Sequence, residues 1–170
     1  MEARSCQACC VSVMAVIRQA DESDVHDLYV MERAASSTAL AHVFGDTAFP
    51  AADVLARWQL VVDDPSVTVL VDELDGVPVG YAAFGDGWLR HFGVVPRLWG
   101  TGRAHDLYAA VLEASTAAGA PATYLWVLVD NRRARAFYRR LGWRDTDVQE
   151  HETFAPYPVR MQMRRESDSW

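Results

Sequence analysis

Between Val67 and Val95 the sequence permits little besides three antiparallel strands in series. Val67–Leu74 is apolar and β-branched, and Asp75-Gly76 follows it as a hairpin turn pair. Val77–Phe84 is the second stretch, Gly85-Asp86-Gly87 the second turn, and Trp88–Val95 the third stretch. Such a meander must bury at least one face, so the flanking segments have to supply helices.

They do so at helical spacing. Ser12–Arg18 reads as a first strand, and Ser23 or Asp24 caps a helix to about Ala35 carrying Val25, Leu28, Tyr29 and Glu32. Pro50 opens a second helix, Ala51 to Val61, striped by Val54, Leu55, Trp58 and Val61. Beyond the meander, Arg103–Ala118 is a helix stopped by Gly119. Tyr124–Val129 is a continuous apolar run, as expected of a central strand buried on both faces. Asn131 caps a last helix ending at Gly142, and Trp143–Thr153 and Val159–Arg165 are two final strands around a proline-rich turn. The order predicts a single α/β domain with a mixed, mostly antiparallel sheet of about seven strands and about four helices.

At 170 residues, 51% hydrophobic and 23% charged, the chain can bury a core of its own. No apolar run approaches the roughly 20 residues of a membrane helix. Val11–Ile17 is short and Glu2 offsets Arg4, so no signal peptide is expected and a cytoplasmic location is the default. Residues 1–12 are expected to be a disordered leader, 13–166 the domain and 167–170 a tail. Cys6, Cys9 and Cys10 all fall in that leader, with no second ligand pair to complete a zinc site, so no metal is expected. Every cation is arginine. Residues 1–86 hold 14 Asp/Glu against 4 Arg, a net −10, and residues 87–170 hold 9 against 12, a net +3. The overall −7 excludes a broad basic face for nucleic acid. The uneven halves suit a cationic ligand on one side and a polyanion on the other, or else charges scattered on solvated faces.

Val95-Pro-Arg-Leu-Trp-Gly-Thr-Gly-Arg-Ala-His-Asp-Leu-Tyr108 joins the third strand to the next helix. Amides at a helix N-terminus lack intrahelical partners and meet the positive dipole end, and glycine lets an anion approach the backbone. Gly100, Gly102 and Ala104 supply small positions and Arg103 a charge. Neither a P-loop (Gly102 is followed by Arg103 and Ala104) nor a dinucleotide fingerprint (His105 fills the third small position) fits. On its own the loop is either an anion cradle or a permissive helix start.

Asn131-Arg-Arg-Ala-Arg-Ala-Phe137-Tyr138-Arg-Arg-Leu-Gly142-Trp143 is the second constellation. With Phe137 in the core, Tyr138 is expected to face the sheet edge, where a phenol can donate a proton. Leu89-x-x-Phe92-x-Val94-x-Pro96, Trp99-Gly-Thr-Gly-Arg-Ala104 and Asn131-x-x-Ala134-x-x-Phe137-Tyr138, taken in order, resemble the GNAT superfamily of acyl-CoA-dependent N-acetyltransferases. The opening Ile17-Arg-Gln-Ala-Asp21-x-x-Asp24 is similar to the start of such domains, and the resemblance covers about Val13 to Arg165.

The resemblance implies a GNAT-like fold and a set of roles. Amides from Gly100 through Thr101, Gly102, Arg103 and Ala104 to His105 would hold the pyrophosphate of acetyl-CoA. The strand before the loop would carry a bulge, with Phe92, Gly93 and Val94 pairing with the pantetheine arm and an N–H near Val94 polarising the thioester. Asn131 would contact the pantetheine, Ala134 would let it pass, and Tyr138 would protonate the leaving thiolate. Trp99 stands where the family usually has Gln or Arg, unless the pattern starts at Arg97. Trp88 stands where many members have a Glu, leaving His91, Asp86, Glu73 or a water as candidate base. His91 can equally be an outward-facing strand residue. Glu32, Trp58, Trp88, Phe154 and Tyr157 are expected to wall the acceptor. The implied activity is acetyl transfer to a small primary amine. A peptide or protein acceptor and a non-catalytic acyl-CoA sensor are the alternatives, and homodimerisation is left open.

Overall fold

The meander forms the middle of one seven-stranded sheet. In the computed structural model, which describes residues 13–166, the strands are β1 (Ala15–Gln19), β2 (Thr68–Leu74), β3 (Val77–Gly85), β4 (Trp88–Val94), β5 (Tyr124–Leu128), β6 (Arg144–His151) and β7 (Val159–Arg164). Their order is β1-β2-β3-β4-β5-β7-β6, antiparallel throughout except between β4 and β5. The helices are α1 (Val25–Ala39), α2 (Ala41–Phe44), α3 (Ala51–Asp63), α4 (Arg103–Ala117) and α5 (Arg132–Arg140). The expected leader with its three cysteines, and the tail, lie outside the described residues. Among the described residues no helix is long and apolar enough to cross a membrane.

Each face of the sheet carries its own core. α4 and α5 bury Leu107, Val111, Leu125 and Met163 on one side; α1 and α3 bury Leu28, Trp58, Val71 and Ala83 on the other. The second pair of helices packs mainly on β2, β3 and β4. This corrects the expectation for β5: Leu125 and Val127 are buried, whereas Tyr124, Trp126 and Leu128 remain partly exposed on the uncovered face. The cap of the first helix also differs. Asp21 caps a 3-10 turn (Glu22–Asp24) ahead of α1, and the buried Asp24 carboxylate instead receives Arg18 Nη1 and Nη2 at 2.8 and 2.7 Å.

Two irregularities in β4 decide where a ligand can go. Ala83 pairs with His91 but Phe84 with Leu89, so Arg90 is an extra, bulged residue. The bulge shifts the alternation: Leu89, Phe92 and Val94 lie on the α4 side and His91 lies tilted against Trp58 beneath α3. β4 and β5 pair only at Trp88–Tyr124 and Leu89–Leu125, after which the two parallel strands part.

Candidate functional site

A cavity of about 590 Å³ lies where β4 and β5 diverge. Phe92, Gly93 and Val94 line it from the free edge of β4. Val95 N–H donates to Val79 O on β3 at 2.9 Å. Strand alternation therefore turns the Val94 N–H and C=O to the opposite side, toward the gap. The carbonyl is taken by the Trp99 indole N–H at 2.7 Å, and the N–H has no strand opposite it.

The glycine loop floors one end. A 3-10 turn at Pro96–Leu98 leads into Gly100 (φ +81°) and Gly102 (φ +95°), and a Cβ at either would meet nothing within 4 Å. Their glycines therefore serve the left-handed backbone and leave open space above it. The α4 ladder begins with His105 N–H on Gly102 O at 2.8 Å, which leaves the Arg103 and Ala104 N–H groups outside it. Trp99, Gly100, Gly102, Ala104 and His105 line the cavity. The Thr101 and Arg103 side chains do not. Thr101 Oγ1 donates to Leu98 O at 2.7 Å. The Arg103 guanidinium is turned into the sheet onto Asp72, a fully buried carboxylate, with Nε on Oδ2 at 3.0 Å. Gly80 makes room for this pair, since a Cβ there would come within 3.2 Å of the Asp72 Cβ. Only the backbone of Arg103 is left for an anion.

α5 forms the opposite wall. Asn131 Oδ1 accepts the Ala134 N–H at 3.1 Å, the expected cap, which leaves its amide NH₂ for the cavity. Asn131, Ala134, Phe137 and Tyr138 all line the space. The expected opposition of Phe137 and Tyr138 is corrected. Phe137 is the more exposed ring and stacks on Phe92 at 5.7 Å, while Tyr138 lies deeper, 7% exposed, edge-on to Trp143. Burial raises the Tyr138 phenol well above the ordinary tyrosine value, with the Tyr108 hydroxyl adding to it. It therefore stays protonated at neutral pH.

The other expected residues are not gathered there. Trp58 is completely buried and donates its indole N–H to Glu32 Oε2 at 2.7 Å, and Arg57 holds the same carboxylate at 2.5 Å. Both belong to the α1–α3 packing rather than to an acceptor wall. Trp88 sits at the paired end of β4, stacked on Trp126 and tilted against Tyr124, away from the gap. Glu73 is engaged by Arg18, and Asp86 by Arg90 at the hairpin turn. His91 is pushed down to about 3 by burial, with Arg57 and Arg90 adding to the shift. Phe154 and Tyr157 are exposed on the β6–β7 turn, where Phe154 stacks on Phe44 of α2 at 6.2 Å.

Several lining residues had no signal strong enough to find them. Ala35, Ser36, Ala39 and Leu40 of α1 close the far end. Tyr81 crosses under β4 at Gly93, where a Cβ would fall 2.5 Å from its ring. A glycine inside a strand was the clue, because it marks a close approach. Arg133 and Arg140 line the cavity from α5. The four-residue α2, too short to show a period, sets His42 Nε2 2.9 Å from Asp130 O, just ahead of α5.

Residues 25–143 match the family model for the Acetyltransferase (GNAT) family. No curated protein matches the chain. The fold is similar to that of PaiA N-acetyltransferase from Thermoplasma acidophilum in complex with coenzyme A, at 13% identity and a TM-score of 0.66, covering 89% of this chain and 99% of that one. It is similar to the ribosomal-protein-S18-alanine N-acetyltransferase from Escherichia coli (14% identity, TM-score 0.65, 92% and 99% covered). Spermidine N-acetyltransferase from Vibrio cholerae, in complex with CoA and spermine, is a third such structure (16% identity, TM-score 0.64, 88% and 93% covered).

Proposed function

Because the chain belongs to the acetyltransferase (GNAT) family and is an acyl-CoA-dependent acetyltransferase, we propose that it acetylates a primary amine of a small molecule by direct attack. The observation that carries this reading is the passage through the sheet between β4 and β5, with loop amides at one end and Tyr138 inside it. The residues fit the donor: open space above Gly100 and Gly102 for phosphates, an unpaired strand edge at Phe92–Val94 for an amide-bearing arm, and Ala134 as a small wall. Acetyl-CoA brings an activated acetyl thioester.

The chain's own groups supply orientation and protons. The Val94 N–H is aimed to donate to a carbonyl oxygen in the gap, where negative charge develops on attack. Asn131 orients the arm through its free amide. The Tyr138 hydroxyl makes no hydrogen bond to another described group, so it is available to donate to the leaving sulfur. The amine must arrive neutral. No carboxylate lines the cavity among the described residues, His91 lies outside it and His105 stands at the phosphate end of it, so water takes the ammonium proton.

The Phe44–Phe154 stack, tied through His42 to the end of β5, favours a small acceptor over a chain lying across the sheet. Similar folds occur in a neighbour that acts on spermidine and in one that acts on a ribosomal protein, so the fold itself does not choose. A peptide amine is the second reading, favoured by the uncovered aromatic face of Trp88, Tyr124 and Trp126, which offers an extended chain a surface to lie on. Thiol release from acetyl-CoA across a panel of small amines and short peptides separates the two. Tyr138→Phe should lower kcat by about 10²-fold or more while CoA affinity stays within about twofold. Release with peptides alone would reject the small-molecule acceptor, and no release with any amine would reject transfer itself.

A further inference from the structure

The loop's first position holds an indole, which cannot pair with a phosphate; of the loop's two arginines, Arg103 is spent on Asp72 and Arg97 does not line the cavity. We propose that α5 supplies the missing cation: Arg133, seated on the Trp99 ring, binds the pyrophosphate of the donor. The proposal rests on CoA being that donor.

Of the five arginines of α5, Arg133 and Arg140 line the cavity, and Arg133 alone of the two sits on the Trp99 ring. Arg135 and Arg139 hold Asp145 on the side facing β6. Arg133 has no carboxylate partner among the described residues; its guanidinium carbon instead lies 4.0 Å from the centre of the Trp99 ring. Both side chains line the cavity with Gly100 and Gly102. Stacking occupies the guanidinium face and leaves the N–H groups at its rim free for two parallel bonds to phosphate oxygens. The ring itself is fixed, because its N–H is held by the Val94 carbonyl. A long side chain is thereby held at the loop before any ligand arrives, so less freedom is lost on binding. Trp99 thus replaces a direct phosphate contact by a platform for one, and it couples the phosphate end of the cavity to the β4 edge.

Equilibrium titration by calorimetry tests this, with CoA and dephospho-CoA as probes. The second probe keeps the pyrophosphate and lacks the 3′-phosphate. Arg133→Ala should weaken both by the same factor, about tenfold or more, and flatten the dependence of affinity on salt. Trp99→Leu should reproduce much of that loss, Trp99→Phe should keep most of the affinity, and Arg133→Ala with Trp99→Leu should be less than additive. Arg133 is exposed, so its variant should melt with the wild type. Unchanged CoA affinity in Arg133→Ala overturns the proposal, and so does a loss confined to CoA, which would move Arg133 to the 3′-phosphate. Failure of the wild type to bind either probe would instead remove the donor reading beneath it.

Discussion

Burial moves Tyr138, inside the cavity, and His91, outside it, in opposite directions. It raises the Tyr138 phenol and lowers the His91 imidazole to about 3, because each loses the water that would solvate its charged form. Both are neutral between pH 6 and 8. The kcat/KM profile should therefore show no inflection near the ordinary histidine value of about 6.5, and should climb toward the acceptor ammonium pKa of about 10. His91→Gln should leave its shape unchanged; an acid limb near neutrality that vanishes in this variant would make His91 the base. Histidine also bears on folding. Its folded pKa is depressed, so below about pH 6.5 the unfolded chain takes up a proton that the folded one refuses, and stability falls as pH drops toward 3. Arg103 has a different kind of weight. Arg103→Met leaves Asp72 buried without a partner and should cost about 3–5 kcal/mol in urea unfolding. Sequence made the residue types legible here and the partners illegible. Tyr138, Asn131 and the glycines could be placed by spacing, whereas nothing in the order of residues says that Arg103 faces Asp72 or that Glu32 is held by Arg57 and Trp58.

At the level of elements, the meander and the long helices were readable because period and turn residues are local properties. The bulge at Arg90 and the parting of β4 from β5 were not readable from period. They arise from pairing between segments far apart in sequence, and the bulge was expected only by resemblance. Gly93 is where this geometry can be tested. A methyl group there meets the Tyr81 ring at 2.5 Å, so Gly93→Ala must push β4 or the ring aside. It should destabilise the fold by about 1–3 kcal/mol and weaken CoA binding, measured by urea unfolding and by titration. Full stability with full affinity would mean that Tyr81 does not brace the β4 edge.

For the whole molecule, only part of the charge in the acidic first half is held internally. Asp24, Glu32, Asp72 and Glu73, all in the acidic first half, are each held by an arginine, three of them with arginines of the same half. Steering of a cationic acceptor then depends on the remaining exposed carboxylates, and reversing those without a change in acceptor KM would exclude it. The stack of Phe44 on Phe154 joins segments that are more than a hundred residues apart. Replacing both by alanine should raise kcat/KM for bulky amines relative to small ones severalfold, read from paired substrates in one assay. An unchanged ratio would place the acceptor elsewhere.

The sparse pairing of β4 with β5 has a mechanical meaning as well. Two residue pairs make a spine, and the strands on either side of it are two leaves of an open book. An arm laid along the free edge of β4 is then a stitch between the leaves, completing hydrogen bonds that the chain leaves unmade. Ligand occupancy and rigidity of the sheet become one quantity, so the slowing of amide exchange at Phe92–Val94 would gauge how much donor surrounds the protein.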